Sequence, residues 1–298
     1  MRIIEQMGTK YKFWLSSQDD EKEDLIFKQG RPGTGEDWAE KIACELAKII
    51  NLPRAEYNLA KYKEMYGVIS KKVNSEINSR LVLGNELIEK TYKNEGINLT
   101  KKERIKEHTI GRVMSYFRAT AETIGTPQNF NKTNNINTAL DVFIGYLMFD
   151  AWIANQDRHD ENWGIIRTSD GNSFLSPTFD HGSSMGRNET DDKRTTMLTT
   201  KDKNQQISIY VKKARSALFS STGEQKKPLL TIEAFSHAAK QNTIAASEWC
   251  ERLSSTSDNA ILEIINNIPS EIMTEISKEF TFQLLKINKL RIIDSRNP

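Results

Sequence analysis

An asymmetry of period constrains this fold more than any other feature. Residues 1–70 mix short alternating runs with one strong helical stretch, whereas almost everything after Leu81 has helical period and few strand signals. The pattern predicts an α+β chain of two lobes, 1–70 holding a small antiparallel sheet and one helix, and 71–298 forming a large, mostly helical body. In the first part, residues 2–6, 11–15 and 25–28 are expected strands, the first two joined across Gly8-Thr9-Lys10. The run 66–73 is expected to be a last strand that leads into a hinge.

The helix expected over 35–51 is bounded by Thr34 and Asp37, which suit a capping box, and by Pro53 just past its end. Glu40 shares a stripe with Ala43, Cys44 and Ala47, so either a carboxylate is aimed along an apolar face or a boundary side chain packs its stem and wets its head. Further helices are expected near 84–94, 101–123, 138–154, 206–218, 231–253 and 258–290. No internal repeat is visible.

With 298 residues the chain can bury a sizeable core without staples, and its two cysteines, Cys44 and Cys250, read as reduced, packed thiols of a cytoplasmic protein. The 42 basic and 40 acidic residues nearly cancel, which gives no charge argument for a nucleic-acid partner or a membrane surface. The apolar stretch from Ala139 to Ala154 is broken by Asp141 and Asp150 and falls short of the roughly 20 residues of a spanning helix, so it is expected to be a core helix with no membrane span. The first residues lack a secretory pattern, which leaves only a route without a cleaved signal for export as an effector. Between 187 and 227, ten Lys or Arg face five acids, a bias that most often marks a solvated surface.

Chemistry concentrates in two neighbouring segments, Asn155-Gln156-Asp157-Arg158-His159-Asp160-Glu161-Asn162-Trp163-Gly164 and Phe179-Asp180-His181-Gly182-Ser183-Ser184. Residues 163–168 and 173–179 read as a hairpin around Ser169-Asp170-Gly171-Asn172. Paired strands lie about 4.8 Å apart, so Asn162 and Asp180, at opposite ends of that hairpin, could hold one hard cation such as magnesium. Asp157, five residues before Asn162, then suits a carboxylate that orients a hydroxyl and takes its proton. Upstream, Lys28 ends a strand and Glu40 lies on the next helix, the pairing a kinase uses on nucleotide phosphates. Taken alone, Lys28 would be an edge-strand lysine and the 155–164 loop a helix terminus; the order strand Lys, helix Glu, Asp-x-x-x-x-Asn, hairpin, Asp-x-Gly is that of a kinase.

The residues that carry this order resemble the HipA-like serine/threonine kinases. The likeness rests on Gly8-Thr9-Lys10 with Lys12-Phe13-Trp14, on Phe27-Lys28 with Gly30-Arg31-Pro32-Gly33-Thr34-Gly35-Glu36, and on Trp38-Ala39-Glu40-Lys41-Ile42. It continues through Leu83-Gly84-Asn85-Glu86, Asp157-Arg158-His159-x-x-Asn162-Trp163-Gly164 and Phe179 to Ser184, spanning roughly 8–215. It implies a bilobal protein-kinase-like fold with ATP and magnesium in the cleft, Asp157 as catalytic acid-base, Lys28 on the phosphates with Glu40 as partner, and Asn162 and Asp180 as metal ligands. Gly8, Thr9 and Lys10 would form a phosphate loop shorter than Gly-x-Gly-x-x-Gly, with Ile69, Ser70 and His159 completing the nucleotide site. The acceptor would be a protein hydroxyl, self-transfer at Thr9, Ser16 or Ser17 included. An antitoxin-like regulator is among the partners implied, although the extra N-terminal subdomain of the larger toxins is expected to be missing.

Three other classes compete. His108, the His159-Asp160 pair and Asp180 match a metal-dependent phosphohydrolase of the HD type, which would leave Lys28 and Glu40 idle. A non-catalytic scaffold would not need Lys28, Asp157, Asn162 and Asp180 together, and a kinase for small molecules or lipids would share the same catalytic residues.

Overall fold

The computed structural model describes residues 11–16, 24–74, 78–220 and 227–295. Its front part is an antiparallel sheet of β1 (Lys12–Ser16), β2 (Asp24–Gln29), β3 (Tyr57–Tyr62) and β4 (Met65–Lys71), ordered β1-β2-β4-β3. The strands expected over 11–15 and 25–28 are β1 and β2, and the run from 66 is β4; β3 was not foreseen, because its polar Asn58 and Lys61 break the alternation. The strand expected over 2–6 and the Gly8-Thr9-Lys10 turn lie outside the described residues. Phe13, Phe27 and Tyr62 cluster on one face of the sheet, with ring centroids 4.7–6.0 Å apart.

Helix α1 (Glu36–Ile49) packs against β3 and β4. Its expected capping box does not form. The N-cap is Gly35, and Thr34 Oγ1 donates instead to Arg31 O at 2.8 Å. A Cβ on Gly35 would lie 2.0 Å from the Trp38 ring, so this position is set by ring packing rather than by a side-chain cap.

After β5 (Arg80–Leu83) come α2 (Gly84–Asn94), α3 (Lys101–Glu107), α4 (Ile110–Ala119), β6 (Ile124–Gly125) and α5 (Ala139–Ile153). The predicted hairpin is present as β7 (Gly164–Arg167) and β8 (Ser173–Leu175), pairing Ile165 with Leu175 and Arg167 with Ser173. It belongs to a second sheet, β5-β7-β8-β6, whose outer strands were not foreseen because they are so short. The chain ends with α6 (Asp191–Thr199), α7 (Ile207–Tyr210), α8 (Thr231–Ala239), α9 (Thr243–Ser254), α10 (Asp258–Asn266) and α11 (Glu275–Asp294).

Three helices expected as continuous are each split. Thr109 Oγ1 accepts from Arg112 N at 3.3 Å and starts α4, Asn242 Oδ1 accepts from Ala245 N at 3.2 Å and starts α9, and Thr274 Oγ1 accepts from Ser277 N at 3.2 Å and starts α11 beyond Pro269. Apolar period runs across such breaks, whereas the caps make them. The helix expected over 206–218 lasts only through α7 and a 3-10 turn to Lys213, after which Arg215 bridges to Leu230.

All of α5 is buried, as its unbroken apolar run required, and α4, α8, α9 and α11 pack around it. Both acids in that run are used. Asp141 Oδ2 accepts from Thr138 N at 3.0 Å as part of the N-cap, and Asp150 clamps Arg158. Among the described residues no helix is long and apolar enough to cross a membrane. Cys44 and Cys250 are both unbridged and buried.

The α5–α9 contact is tight enough to test. A Cβ on Gly145 would lie 2.4 Å from the Trp249 ring, which is pinned by its Nε1 donating to Asp141 O at 2.8 Å. Gly145→Ala should therefore destabilise the protein by about 1–3 kcal/mol through overpacking, against alanine's better helix propensity of about 1 kcal/mol. A urea midpoint equal to or above that of the parent would contradict this packing.

Candidate active site

Four side chains from distant parts of the chain meet on the face of the first sheet that α1 covers. Lys28 leaves β2 opposite Val68, and its Nζ lies 5.5 Å from the centre of the Tyr57 ring. Burial lowers the affinity of its ammonium for the proton, but Tyr57, Asp180 and Glu40 together outweigh that and move the group upward, so it stays charged. Glu40, 5% exposed, accepts at Oε2 from His181 N at 2.9 Å. Burial and then the neighbouring Asp180 carboxylate push Glu40 upward, with Lys28 pulling the other way. The stripe position that left Glu40 open between two readings is thus resolved toward the buried one. Asp180 N donates to Tyr57 Oη at 3.3 Å, and Asp180 has φ +58, a left-handed conformation that a non-glycine residue holds only under constraint.

The 155–164 loop is organised by Arg158, which is fully buried. Its Nε and Nη2 reach the two Asp150 oxygens at 2.8 Å each, Nη1 donates to Asn162 O at 2.6 Å, and Nη2 also reaches Thr178 Oγ1 at 2.9 Å. One guanidinium thereby fixes both the loop and the strand exit that leads to Asp180. Asp157 is left half-exposed, while Asn162 Nδ2 donates to Asp157 O at 2.7 Å, which leaves the Asn162 amide oxygen as that side chain's donor to a cation. His159 Nε2 lies 3.7 Å from Asp157 Oδ1, and its Nδ1 accepts from Glu161 N at 3.1 Å.

The 180–187 segment joins the two groups. At one end His181 N meets Glu40; further along, Ser183 Oγ donates to Asp157 Oδ2 at 3.3 Å, and Ser183 O accepts from Gln156 N at 3.1 Å. Arg187 Nη2 donates to the same Ser183 Oγ at 3.3 Å, while its Nη1 lies 2.6 Å from Glu36 Oε1 in a buried pair. Tyr57 was not foreseen, Glu36 and Ser183 were named only within motifs and without a role, and Arg187 only as part of the basic segment. For Arg187 the only sequence hint is a cation near the second motif, and its partner is 151 positions away. Ser70 shares the Lys28 face of the sheet, because it pairs with Ile26, whereas Ile69 pairs with Phe27 on the opposite face. Gly8, Thr9, Lys10 and Ser17 lie outside the described residues.

This architecture is also that of a solved bacterial kinase. No family model matches the sequence, and no curated protein matches it. Among solved structures, the proinflammatory kinase CtkA of Helicobacter pylori superposes with a TM-score of 0.74 at 21% identity, over 98% of this chain and 92% of that one. The HipA of Shewanella oneidensis MR-1, solved as a toxin-antitoxin system with HipB and operator DNA, gives a TM-score of 0.56 at 12% identity over 97% of this chain and 64% of its own length. The chain thus has the bilobal α+β fold of the HipA-like kinases.

The phosphohydrolase arrangement is not assembled. His108 is buried with both ring nitrogens engaged: Nε2 accepts from Trp163 Nε1 at 3.0 Å, so Nδ1 carries the proton, 3.2 Å from Ala217 O. Asp160 turns away from His159 to pair with Arg104 at 2.9 Å. No cluster of three or more His, Cys, Asp or Glu suited to a metal occurs among the described residues. Burial pulls the His108 imidazole down to about 4 from its ordinary 6.5. The unfolded chain then binds more protons than the folded one between pH about 4 and 6.5, so stability falls as pH drops through that window. Between pH 7 and 4.5 this group should account for about 2–3 kcal/mol of lost stability. Urea unfolding of His108→Gln should show a pH dependence flatter by that amount; a slope equal to the parent's would refute the assignment.

Proposed function

We propose that this chain is a HipA-like kinase that transfers the γ-phosphoryl group of ATP to a serine or threonine hydroxyl of a protein, itself included, with residues 1–70 and 71–298 as its two lobes. The observation that carries this is the convergence of Lys28, Glu40 and Asp180, bound through the 180–187 segment to Asp157. The roles follow from the chemistry each group retains. Lys28, kept charged by Tyr57, Asp180 and Glu40, is suited to grip nucleotide phosphates. Asp157, half-exposed and held by Ser183, is suited to orient an acceptor hydroxyl and take its proton.

Magnesium fits the donor set, since Asp180 and Asn162 offer hard oxygens and the Asp180 carboxylate lies close enough to Glu40 to help burial push it upward. When bound, the ion would neutralise charge developing on the transferred phosphoryl group. Ser70, on the Lys28 face of β4, and His159, 3.7 Å from Asp157, are assigned to the nucleotide site with Ile69, as is the Gly8-Thr9-Lys10 turn. An antitoxin-like regulator fits the toxin-antitoxin setting of the Shewanella HipA, and a cytoplasmic location fits the reduced cysteines.

Purified protein with magnesium and labelled ATP should transfer label to itself or to a protein acceptor. Asp157→Asn should lower transfer by about a hundredfold or more while retaining ATP binding, whereas Lys28→Met should weaken ATP binding as well. Transfer at an undiminished rate by Asp157→Asn would refute the assignment.

A further inference from the structure

We propose that the cavity between α2 and α4 is an effector site that takes a compact, uncharged, mainly apolar molecule and through it biases the 155–164 loop; its regulatory meaning rests on the kinase function above. The cavity measures about 360 Å³, at the small end of the roughly 300–1,000 Å³ that small-molecule sites span. It shares no lining residue with the site built around Lys28, Asp157 and Asp180. Leu87, Ile88 and Tyr92 come from α2, Val113 and Tyr116 from α4, and Trp163, at the end of the 155–164 loop, completes the apolar wall.

That wall decides the chemistry of the occupant. Leu87, Ile88, Tyr92, Val113 and Trp163 are all buried, so they are met from within a recess and not by a flat partner surface. Arg112 is the one charged side chain among the described lining residues, and it is already engaged. Its Nη2 lies 2.7 Å from Glu107 Oε2, and its guanidinium carbon lies 4.8 Å from the centre of the Tyr92 ring, whose hydroxyl donates to the same Glu107 oxygen at 2.6 Å. A charged ligand would therefore lose its hydration without gaining a counter-charge. Thr91 Oγ1 donates to Leu87 O at 3.1 Å and keeps its lone pairs for a ligand hydroxyl, and the exposed Ser115 offers a second such group at the rim. The rings of Tyr92, Tyr116 and Trp163 suit an aromatic body.

Two routes join this cavity to the loop. At the start of α2, Asn85 N donates to Asp160 O at 2.8 Å and Gly84 N donates to Trp163 O at 2.9 Å. Gly84 has no room to slip, because a Cβ there would lie 2.3 Å from the Trp163 ring. The second route runs through α3. Glu107, at its end, meets Tyr92 and Arg112, while Arg104 holds Glu89 of α2 at 2.7 Å, Asp160 at 2.9 Å and Glu161 at 3.2 Å. Asn162, assigned above to the cation, sits between these attachments. A molecule that fixes the spacing of α2 and α4 thus fixes the backbone on both sides of Asn162, and affinity at the two places is linked reciprocally.

The probe for the test is N-phenyl-1-naphthylamine, an uncharged aromatic dye, compared with 8-anilinonaphthalene-1-sulfonate, the same skeleton bearing a sulfonate. Titrated into the full chain, the uncharged dye should bind saturably and about tenfold more tightly than the sulfonate. Ser115→Trp and, separately, Ala119→Trp place a ring in the cavity from exposed positions, leave the buried side chains untouched, and should each weaken the dye about tenfold. Hydrogen exchange of the 155–164 amides should slow about threefold with dye bound, and ATP with magnesium should change dye affinity by about the same factor. Equal affinity for the two dyes, binding that survives both substitutions, or unchanged exchange in the loop would each overturn the effector site while leaving the kinase intact. A dimer that Ser115→Trp dissolves would overturn it too, by giving the cavity to a second copy of the chain. Dye binding and slowed exchange in a chain that neither binds ATP nor transfers phosphate would instead sink the kinase function, and the regulatory meaning with it.

Discussion

The rest of this structure depends on one buried guanidinium. A fully buried charge is tolerable only when its hydrogen-bonding capacity is met, and Arg158 meets it with both oxygens of Asp150, the Asn162 carbonyl and the Thr178 hydroxyl. Those acceptors belong to three different pieces of chain: the end of α5, the 155–164 loop and the exit of the β7–β8 hairpin. Removing either charge would leave the other stranded in the core, so these pieces are held in one arrangement. That arrangement leaves Asp157 at the surface and delivers Asp180 to Lys28.

The same interaction explains the place of the apolar α5. A helix buried on every side cannot shift without repacking α4, α8, α9 and α11, which makes its end a fixed reference point. The backbone turns sharply there, with Ala154 at φ +54, and turns again at Asp180 and Met185, at φ +58 and +52. Three non-glycine residues in the left-handed region, all flanking the candidate site, are strain that the surrounding core sustains. The residues of chemical interest are thus held by the best-packed part of the molecule.

Much of the candidate site was legible in the sequence, and the reason is local. Asp157 and Asn162 lie on one loop, Asn162 and Asp180 flank one hairpin, and Lys28 and Glu40 sit on successive elements, so spacing and period suffice to relate each pair. Glu40 stood on the helical stripe, but the stripe alone left its burial open, and the structure closes it. What escaped were relations between residues far apart in the chain. Nothing near Tyr57 says that its hydroxyl will receive Asp180 N, and nothing near Glu36 says that Arg187 will meet it. The helix breaks at Thr109, Asn242 and Thr274 escaped for the opposite reason: a single capping side chain overrides an apolar period that otherwise runs on. The capping box at Thr34 failed because a tryptophan ring claimed the space beside Gly35.

Those long-range contacts give the site a property that the motifs alone do not. Glu36 begins α1, and through Arg187 it reaches Ser183, which in turn holds Asp157; four residues further along α1, Glu40 accepts from the His181 amide and acts on the Lys28 charge through space. Two acids of one helix therefore each end on a different half of the candidate site. A displacement of α1 relative to the 180–187 segment would loosen Lys28 and Asp157 together, because both are referred to the same rigid rod. The coupling resides in two buried carboxylates one helical turn apart, whose partners sit on a single short stretch of chain, so Lys28 and Asp157 are bound to be in register or out of it as a unit.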